Sequence, residues 1–167
     1  MTNDQLPSTM RLKNRFFWIA AVVSLILDQL TKSLVVQNFK LTQTLPLWPN
    51  VFHFTYVINK GAAFSFFQGA AWLRWLSLAV SLGLIALAWF GPAFQTFEQL
   101  GYGFILGGAM GNGIDRFATG YVVDFLDFRI IKFPVFNLAD VFINVGIVCL
   151  LIASLRQIPP ASNSRRL

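Results

Sequence analysis

Four long apolar stretches dominate this sequence and limit what the chain can fold into. They are residues 16–36, 72–90, 97–114 and 138–155. Each has about the 17 to 25 residues that a helix needs to cross a bilayer. Charged residues make up 12% of the chain, whereas an ordinary soluble domain has about 25%. The sequence therefore predicts a membrane protein of mainly α class, with a four-transmembrane-helix bundle in a single integral membrane domain of residues 1–167. The ends of the chain are predicted to be disordered, at residues 1–10 and 159–167.

Basic residues flank the predicted bundle. Arg11, Lys13 and Arg15 precede the first stretch, and Arg156 follows the last. A net charge of +6 would indicate nucleic-acid binding in a soluble protein, but basic tails beside membrane spans match an anionic cytoplasmic leaflet. We therefore expect both termini in the cytoplasm and no nucleic-acid partner. The first stretch is too long for a signal peptide and has no small-residue cleavage site before Gln37, so it should stay in the mature protein.

Two segments between the predicted spans are long enough to fold outside the bilayer. They are residues 37–71 and 116–137. In the first segment, β-rich runs at 51–58 and 63–67 are separated by Asn59 and Gly61, which is typical of short strands joined by a turn. The sequence thus predicts a small β-rich extracytoplasmic subdomain between helices 1 and 2.

Cysteine and histidine are scarce, which excludes several kinds of chemistry. The chain has one of each, Cys149 and His53. A disulfide framework, a zinc cluster and a Cys/His catalytic pair each need partners that this sequence does not contain. We predict neither a metal site nor a cofactor, and we expect any catalysis to depend on carboxylates, amides or hydroxyls.

Acidic residues are concentrated where a bilayer makes them unfavourable. A charge at mid-bilayer costs about 2.5–3.5 kcal/mol, so ionisable residues in a span or at its end are candidates for function. Five of the seven acidic residues occupy such positions, namely Asp28, Asp115, Asp124, Asp127 and Asp140. With the termini inside, all five lie toward the outer face of the membrane. This clustering predicts a polar site at that face.

Two helical spacings favour side-chain pairs in these regions. Asp28 and Lys32 are four residues apart with the acid first, so an ion pair that neutralises itself is an alternative to a functional role. Asn112 and Arg116 are also four apart and share a helix face, which places Arg116 to orient a carboxylate. Asp115 lies on a different face and could pair with a Lys or Arg elsewhere.

Glycines and a capping pattern define the third and fourth predicted helices. Gly103, Gly107 and Gly111 form a ridge of small residues, which predicts close approach to another helix. Asn137 is predicted to cap the fourth helix, and Asp140 then lies in its first turn, where a carboxylate suits the helix dipole. Capping alone would account for an acid at this position, yet it leaves the Asp140 carboxylate pointing into the bundle.

Asp124 lies in an apolar extended run, where desolvation would raise the pKa of its carboxyl group unless it is paired. Asp127 follows at a spacing that sends it to another face. The chain after Asp124 can run along the surface and re-enter as the fourth helix, which would bring Asp124 and Asp140 to the mouth of the bundle. Two carboxylates that share such a site do not both ionise easily, so one keeps a proton while the other acts as a base toward water.

Five short motifs occur in order along this chain. They are DQLTK at 28–32, NKGAAF at 59–64, GGAMGNGIDR at 107–116, VVDF at 122–125 and FPVFNLAD at 133–140. Together they resemble the lipoprotein signal peptidases, also called signal peptidase II, which are membrane aspartic proteases of bacteria. The resemblance covers nearly the whole chain, and the five motifs in this order with four predicted spans are highly specific.

The resemblance implies roles for eight residues. Asp124 and Asp140 are implied to be the catalytic dyad. Six further residues are implied to bind substrate or to support the dyad, namely Asn112, Arg116, Asn137, Asn59, Asp28 and Lys32.

The resemblance also implies a substrate and a location. The substrate would be a prolipoprotein whose cysteine carries a diacylglyceryl group, cut on the N-terminal side of that cysteine in the bacterial plasma (inner) membrane. The active site would lie near the outer face of the lipid bilayer, and the chemistry would need no metal and no covalent acyl-enzyme. Because the implied site is complete in one chain, we expect the protein to function as a monomer.

Two other classes of protein stay open on the residues alone. A small membrane transporter or proton relay would use Asp28, Lys32, Asp140 and Asn144, and it predicts polar residues at successive depths. The sequence instead clusters its ionisable residues at one end of the spans. A non-catalytic assembly or quinone-binding subunit would use the aromatic residues and the glycine ridge, but it leaves the outer carboxylates without a role.

Overall fold

The structure, a computed structural model, describes residues 13–61, 72–131 and 133–157. Within them the chain forms four α-helices and three β-strands. In chain order these are α1 (Arg15–Asn38), β1 (Thr44–Trp48), β2 (Phe52–Asn59), α2 (Trp72–Phe90), α3 (Thr96–Ala118), β3 (Val122–Phe128) and α4 (Leu138–Gln157). The predicted strand at 63–67 and the predicted disordered tails at 1–10 and 159–167 lie outside the described residues.

Three of the described helices are long and apolar enough to cross a membrane. They are α1, α2 and residues 138–156 of α4. The helix α3 has a different composition, with many glycines and with Asp115 and Arg116 near its end. It packs against α1, α2 and α4, and most of its residues from Gly101 to Gly113 are buried. Because α3 is surrounded by protein, it needs less apolar surface than a helix that faces lipid.

Glycines on two sides of α3 allow this close packing. Toward α1, a Cβ added at Gly103 would lie 2.8 Å from the Cβ of Ala20, and one at Gly111 would overlap the carboxylate of Asp28. Toward α4, Gly108 also leaves no room for a Cβ. The predicted glycine ridge is therefore confirmed, and it brings α1 onto α3 at the level of the acidic residues.

The three strands form one antiparallel sheet in the order β1-β2-β3. The strand β2 confirms the predicted strand at 51–58, whereas β1 was not predicted because Pro46 lies in its middle. The third strand corrects the predicted position of the sheet, since β3 belongs to the segment between α3 and α4. Strand pairing joins residues that are far apart in the chain, so local sequence patterns do not reveal it.

Contacts between the sheet and α1 hold the strands over the helices. Val35 near the end of α1 forms an apolar cluster with Tyr56, Val123 and Phe125. In the register of β2 and β3, Val57 lies opposite Asp124 and Asn59 lies opposite Val122. The end of β2 and the middle of β3 therefore come together beside the first turn of α4.

Candidate active site

The start of α4 has the predicted cap, and the cap orients a carboxylate. Asn137 directly precedes the helix, and its Oδ1 accepts a hydrogen bond from the backbone N–H of Asp140 at 3.1 Å. The Asp140 carboxylate in turn accepts a bond from the backbone N–H of Asn137 at 3.3 Å. This reciprocal arrangement satisfies N–H groups that a helix start would otherwise leave unpaired. It also fixes the half-buried Asp140 carboxylate in the first turn, as predicted.

Asp124 is held in β3 by two asparagine amides. Its side chain is 2% exposed. One carboxylate oxygen accepts from Nδ2 of Asn137 at 2.6 Å and the other from Nδ2 of Asn59 at 2.9 Å. Burial, and then the nearby charge of Asp140, raise the pKa of the Asp124 carboxyl group to about 7, although the two amide donors act in the opposite direction. A group with this pKa exchanges its proton near neutral pH.

A second amide connects Asp140 to the helices below it. Nδ2 of Asn112 donates to Oδ1 of Asp140 at 2.9 Å. Oδ1 of Asn112 accepts from Nδ2 of Asn137 at 3.0 Å and from Nζ of Lys32 at 2.9 Å. Asn112 and Asn137 therefore form a bridge of amides that reaches both aspartates.

Below these amides lies a buried group of charges. Nζ of Lys32 lies 2.8 Å from the carboxylate of Asp28 and 2.9 Å from that of Asp115. The other oxygen of Asp28 accepts the backbone N–H of Ala139 in α4 at 2.9 Å. The predicted pairing of Asp28 with Lys32 is confirmed, and Asp115 finds its partner on another helix, as expected. Together these contacts tie α1, α3 and α4 at the level of the site.

Gln29 is a supporting residue that the sequence analysis did not single out. Its Nε2 donates to the carbonyl oxygen of Gly111 at 3.2 Å and to Asp115 at 3.0 Å. It lies next to Asp28 in an apolar helix. A polar amide side chain in such a helix was the feature of the sequence that could have identified it. Its role could not be assigned from the sequence, because its partners lie on α3.

The two aspartates open into one cleft of about 840 Å³. The wall of the cleft combines the ends of β2 and α3, the middle of β3, the start of α4 and the segment before it. Its lining includes Asn59, Gly61, Asn112, Arg116, Asp124, residues 133–136, Asp140 and Asn144. The polar groups lie together on this wall, and apolar side chains such as Val57, Ile58 and Val145 complete it.

Arg116 lies in the cleft wall but is bonded differently from the prediction. Its guanidinium donates to the backbone carbonyl oxygens of Asn112 and Gly61, each at 3.4 Å, and not to a carboxylate. These acceptors come from its own helix turn and from the chain just after β2. Its charge still acts on Asp140 and Asp124 across the cleft.

Asp127 lies apart from this site, as its spacing predicted. Its carboxylate accepts from the hydroxyl of Thr55 at 2.6 Å and forms an ion pair with Arg129 at 3.0 Å. It does not line the cleft around Asp124. The structure therefore brings all eight predicted site residues into one connected region and leaves Asp127 on the other face of the sheet.

Similarity to known proteins agrees with this geometry. The family described as Signal peptidase (SPase) II matches residues 20–156. The chain belongs to the signal peptidase II family. The lipoprotein signal peptidase of Microcystis aeruginosa is 69% identical over 144 residues, which are 85% of this chain and 93% of that relative. The lipoprotein signal peptidase of Nostoc punctiforme is 67% identical over 154 residues, which are 92% and 98% of the two chains.

Two solved structures share the fold of this chain. A bacterial membrane enzyme determined by the in meso method at 2.3 Å resolution is 29% identical, with a TM-score of 0.78 over 90% of this chain and 92% of that one. A second, at 1.9 Å resolution, is 28% identical with a TM-score of 0.77 over 89% and 99%. This signal peptidase II chain is therefore a peptide hydrolase, and the transporter and proton-relay alternative is not favoured.

Proposed function

We propose that this signal peptidase removes signal peptides from prolipoproteins by an aspartic mechanism, with Asp124 and Asp140 as the catalytic dyad. The observation that carries the proposal is the pairing of the two carboxylates in one cleft through shared amides. Asn137 donates to Asp124 at 2.6 Å while it caps Asp140, and Asn112 donates to Asp140 at 2.9 Å. Serine and cysteine hydrolases activate a side-chain nucleophile with a base, and no such pair lines the described part of this cleft.

In the reacting dyad one carboxyl group carries a proton and the other is ionised, and the reaction uses both groups. The ionised aspartate takes a proton from water, and the resulting hydroxide attacks the scissile carbonyl carbon. The protonated aspartate donates to the carbonyl oxygen as negative charge develops there. When the tetrahedral intermediate collapses, the proton taken from water passes to the amide nitrogen. The signal peptide leaves as a carboxylic acid, and the lipoprotein leaves with a free amine.

The surrounding polar residues have supporting roles in this proposal. Asn59, Asn112 and Asn137 hold the carboxylates in place, and the ion pair of Asp28 with Lys32 holds the helices that carry them. Arg116 faces the cleft, where its remaining N–H donors could meet a carbonyl oxygen of the substrate backbone. These assignments are supported by the hydrogen bonds around the site and by the burial of its charges.

The proposal places the site near the outer face of the membrane. All four helices cross the bilayer, with α3 shielded from lipid by its neighbours, and both termini lie in the cytoplasm. A signal helix can then stay in the bilayer while the bond to be cut enters the cleft. Cleavage on the N-terminal side of a diacylglyceryl-modified cysteine fits this position, because the lipid remains in the membrane. The site is complete in one chain, which supports a functional monomer.

The test is cleavage of two matched prolipoproteins by purified protein in detergent. One carries the diacylglyceryl group on its cysteine, and the other has the same sequence with an unmodified thiol. Parallel reactions contain a chelator, or hydroxylamine to divert an acyl-enzyme. Single-turnover reactions are run in ¹⁸O water, and mass spectrometry identifies the products.

We expect cleavage of the lipid-modified substrate before its cysteine, with ¹⁸O in the new carboxylate. The rate should not change with the chelator, and no hydroxamate should form, because water attacks directly. Loss of activity on chelation would indicate metal-dependent chemistry. A hydroxamate product would indicate a covalent enzyme intermediate, and either result would contradict the aspartic mechanism. Equal cleavage of both substrates would contradict the proposed requirement for lipid.

A further inference from the structure

Lys32 donates a hydrogen bond to Asn112 in the wall of the cleft, although Lys32 does not itself line the cleft. Its side chain is 4% exposed and enters from α1. The ammonium group has three N–H donors, and three acceptors surround it, on Asp28, Asp115 and Asn112, at 2.8, 2.9 and 2.9 Å. A lysine that served merely to neutralise Asp28 would not need the amide oxygen of Asn112.

Asn112 carries the influence of this ammonium to one of the two aspartates. Its amide oxygen accepts from Lys32, and its amide nitrogen donates to Oδ1 of Asp140 at 2.9 Å. An amide polarised at its oxygen by a positive charge becomes a stronger donor at its nitrogen, since linked hydrogen bonds strengthen one another in a low-dielectric site. The chain from Lys32 therefore ends on Asp140.

The surroundings of Asp140 and Asp124 differ as well, in a way that favours the proton on Asp124. Asp140 is half-buried, lies in the first turn of α4 and accepts the backbone N–H of Asn137. A helix start presents backbone N–H donors, and a carboxylate suits this position. Asp124 is 2% exposed, and burial is the largest influence on its carboxyl group. The positive charge of Lys32 also acts on Asp124, but as the smallest of the influences there.

We propose that Lys32, acting through Asn112, is the positioning residue that keeps Asp140 ionised and leaves the proton of the dyad on Asp124. This inference rests on the proposed aspartic mechanism. It makes Asp140 the base that takes a proton from water and Asp124 the acid that donates to the scissile carbonyl. It also gives the buried charge group below the cleft a role in the reaction in addition to its role in packing.

Other charged groups lie near Lys32 or near the dyad, and the design of a test must account for them. They are Asp28 from α1, Asp115 and Arg116 from α3, and Lys60 after β2. Arg116 acts on both aspartates across the cleft, so it does not by itself select one of them. Lys32 differs because its bonded path leads to Asp140.

The test compares pH profiles of kcat and kcat/KM for three variants in detergent. The variant Lys32→Met/Asp28→Asn removes one cation and one anion, so the net charge of the buried group is unchanged. Asp28→Asn alone is the control for the altered contact with α4, since its amide oxygen can still accept the N–H of Ala139. Lys32→Arg keeps the positive charge.

We expect the double variant to move the acidic limb, which the base governs, by about one unit to higher pH, because Asn112 then no longer accepts a hydrogen bond from the ammonium while it donates to Asp140. The alkaline limb should move less, because the net charge of the buried group is unchanged. The kcat of the double variant at neutral pH should fall about tenfold, with KM changed less than about twofold. Lys32→Arg should keep both limbs at their original positions, and Asp28→Asn should not move them upward. An acidic limb that stays in place in the double variant would overturn the proposal.

A second measurement applies even if the double variant fails to fold. Infrared spectra of the wild-type protein against pH should contain a protonated carboxyl band that titrates near neutral pH. The band should vanish in Asp124→Asn and persist in Asp140→Asn. The opposite assignment would overturn the role of Lys32 while the dyad itself stood. Normal cleavage by either aspartate variant would instead contradict the proposed function.

Discussion

Two aspartates on the same strand are held in opposite ways. Asp127 forms an ion pair at 3.0 Å with Arg129, whose side chain is 42% exposed, and it accepts from Thr55. Asp124, three residues earlier, is 2% exposed. It accepts from the amides of Asn59 and Asn137 and forms no ion pair with any described residue. One strand therefore presents a neutralised carboxylate on one face and an uncompensated carboxylate on the other.

The difference supports the proposal that Asp124, and not Asp127, takes part in the reaction. Asp127 is also largely buried, at 9% exposed, but its charge is neutralised by the ion pair with Arg129. A buried carboxylate without a bonded cation is unfavourable, so groups of this kind are concentrated in functional sites. The local sequence around both residues is apolar and extended. The distinction comes from what packs over each face, which for Asp124 is the capped start of α4.

The largest expected effect on activity distinguishes Asp124 and Asp140 from Asp127. Asp124→Asn and Asp140→Asn should each lower kcat/KM by at least about 10³-fold, because each removes one proton-transfer group. The matched control, Asp127→Asn, should stay within about twofold of wild type. Rates of prolipoprotein cleavage in detergent measure all three. A severe loss in Asp127→Asn, with Asp124→Asn active, would reverse the comparison.

The next effect concerns Asn137, whose amide contacts both aspartates of the proposed dyad. Asn137→Ala should lower kcat about 10²-fold, because a misplacement near 1 Å can have this effect. It should also lower the free energy of unfolding by about 1–3 kcal/mol, since buried partners lose their hydrogen bonds. Asn38→Ala is the control, because that exposed amide donates to the carbonyl of Leu34 alone. Cleavage rates and thermal unfolding in detergent check both variants, and equal behaviour of the two would contradict the bridging role of Asn137.

A pH effect follows from the proton on Asp124. The pKa of its carboxyl group is raised from 3.8 to about 7, so the acid form is present below neutral pH and is lost as the pH rises. We expect kcat/KM to fall about tenfold per pH unit above that value. Between pH 3.8 and about 7 the folded protein holds a proton that the unfolded chain lacks, so this group makes the protein less stable as the pH rises. A rate that stays constant up to pH 9 would show that Asp124 does not act as the acid.

The smallest effect tests the packing that supports the inner site. A Cβ at Gly111 would overlap the Asp28 carboxylate, whereas one at Gly83 in α2 meets nothing within 4 Å. Gly111→Ala should lower the free energy of unfolding by about 1–3 kcal/mol. Gly83→Ala should be neutral or stabilising by up to about 1 kcal/mol. Circular dichroism during heating in detergent distinguishes them, and equal stability would contradict the close contact of α1 with α3.

Local patterns in the sequence predicted the parts of this site that lie within one element. The four-residue spacing of Asp28 and Lys32 predicted their ion pair, and the position of Asn137 before an apolar run predicted the cap. The partners of Asp115 and Asn112 were beyond such patterns, because they depend on how α1, α3 and α4 are rotated against one another.

The sheet shows the same limit more strongly. The strand β2 was predictable from its alternating apolar residues, but its neighbour β3 follows it by more than sixty residues in the chain. The strand β1 contains Pro46, which argues against a strand when it is considered alone. The apolar run around Asp124 and the resemblance to a known family both predicted a role for this residue, and its contact with Asn59 became visible through the strand register.

The most direct test of the dyad is a structure with a transition-state analogue. A signal-peptide analogue with a tetrahedral hydroxyl group in place of the scissile carbonyl would be bound to the wild-type protein. We expect the hydroxyl oxygen to lie within about 3 Å of one carboxylate oxygen of Asp124 and one of Asp140. A hydroxyl group that lies beyond hydrogen-bond distance of either aspartate would contradict the proposal that the two carboxylates form the reaction centre.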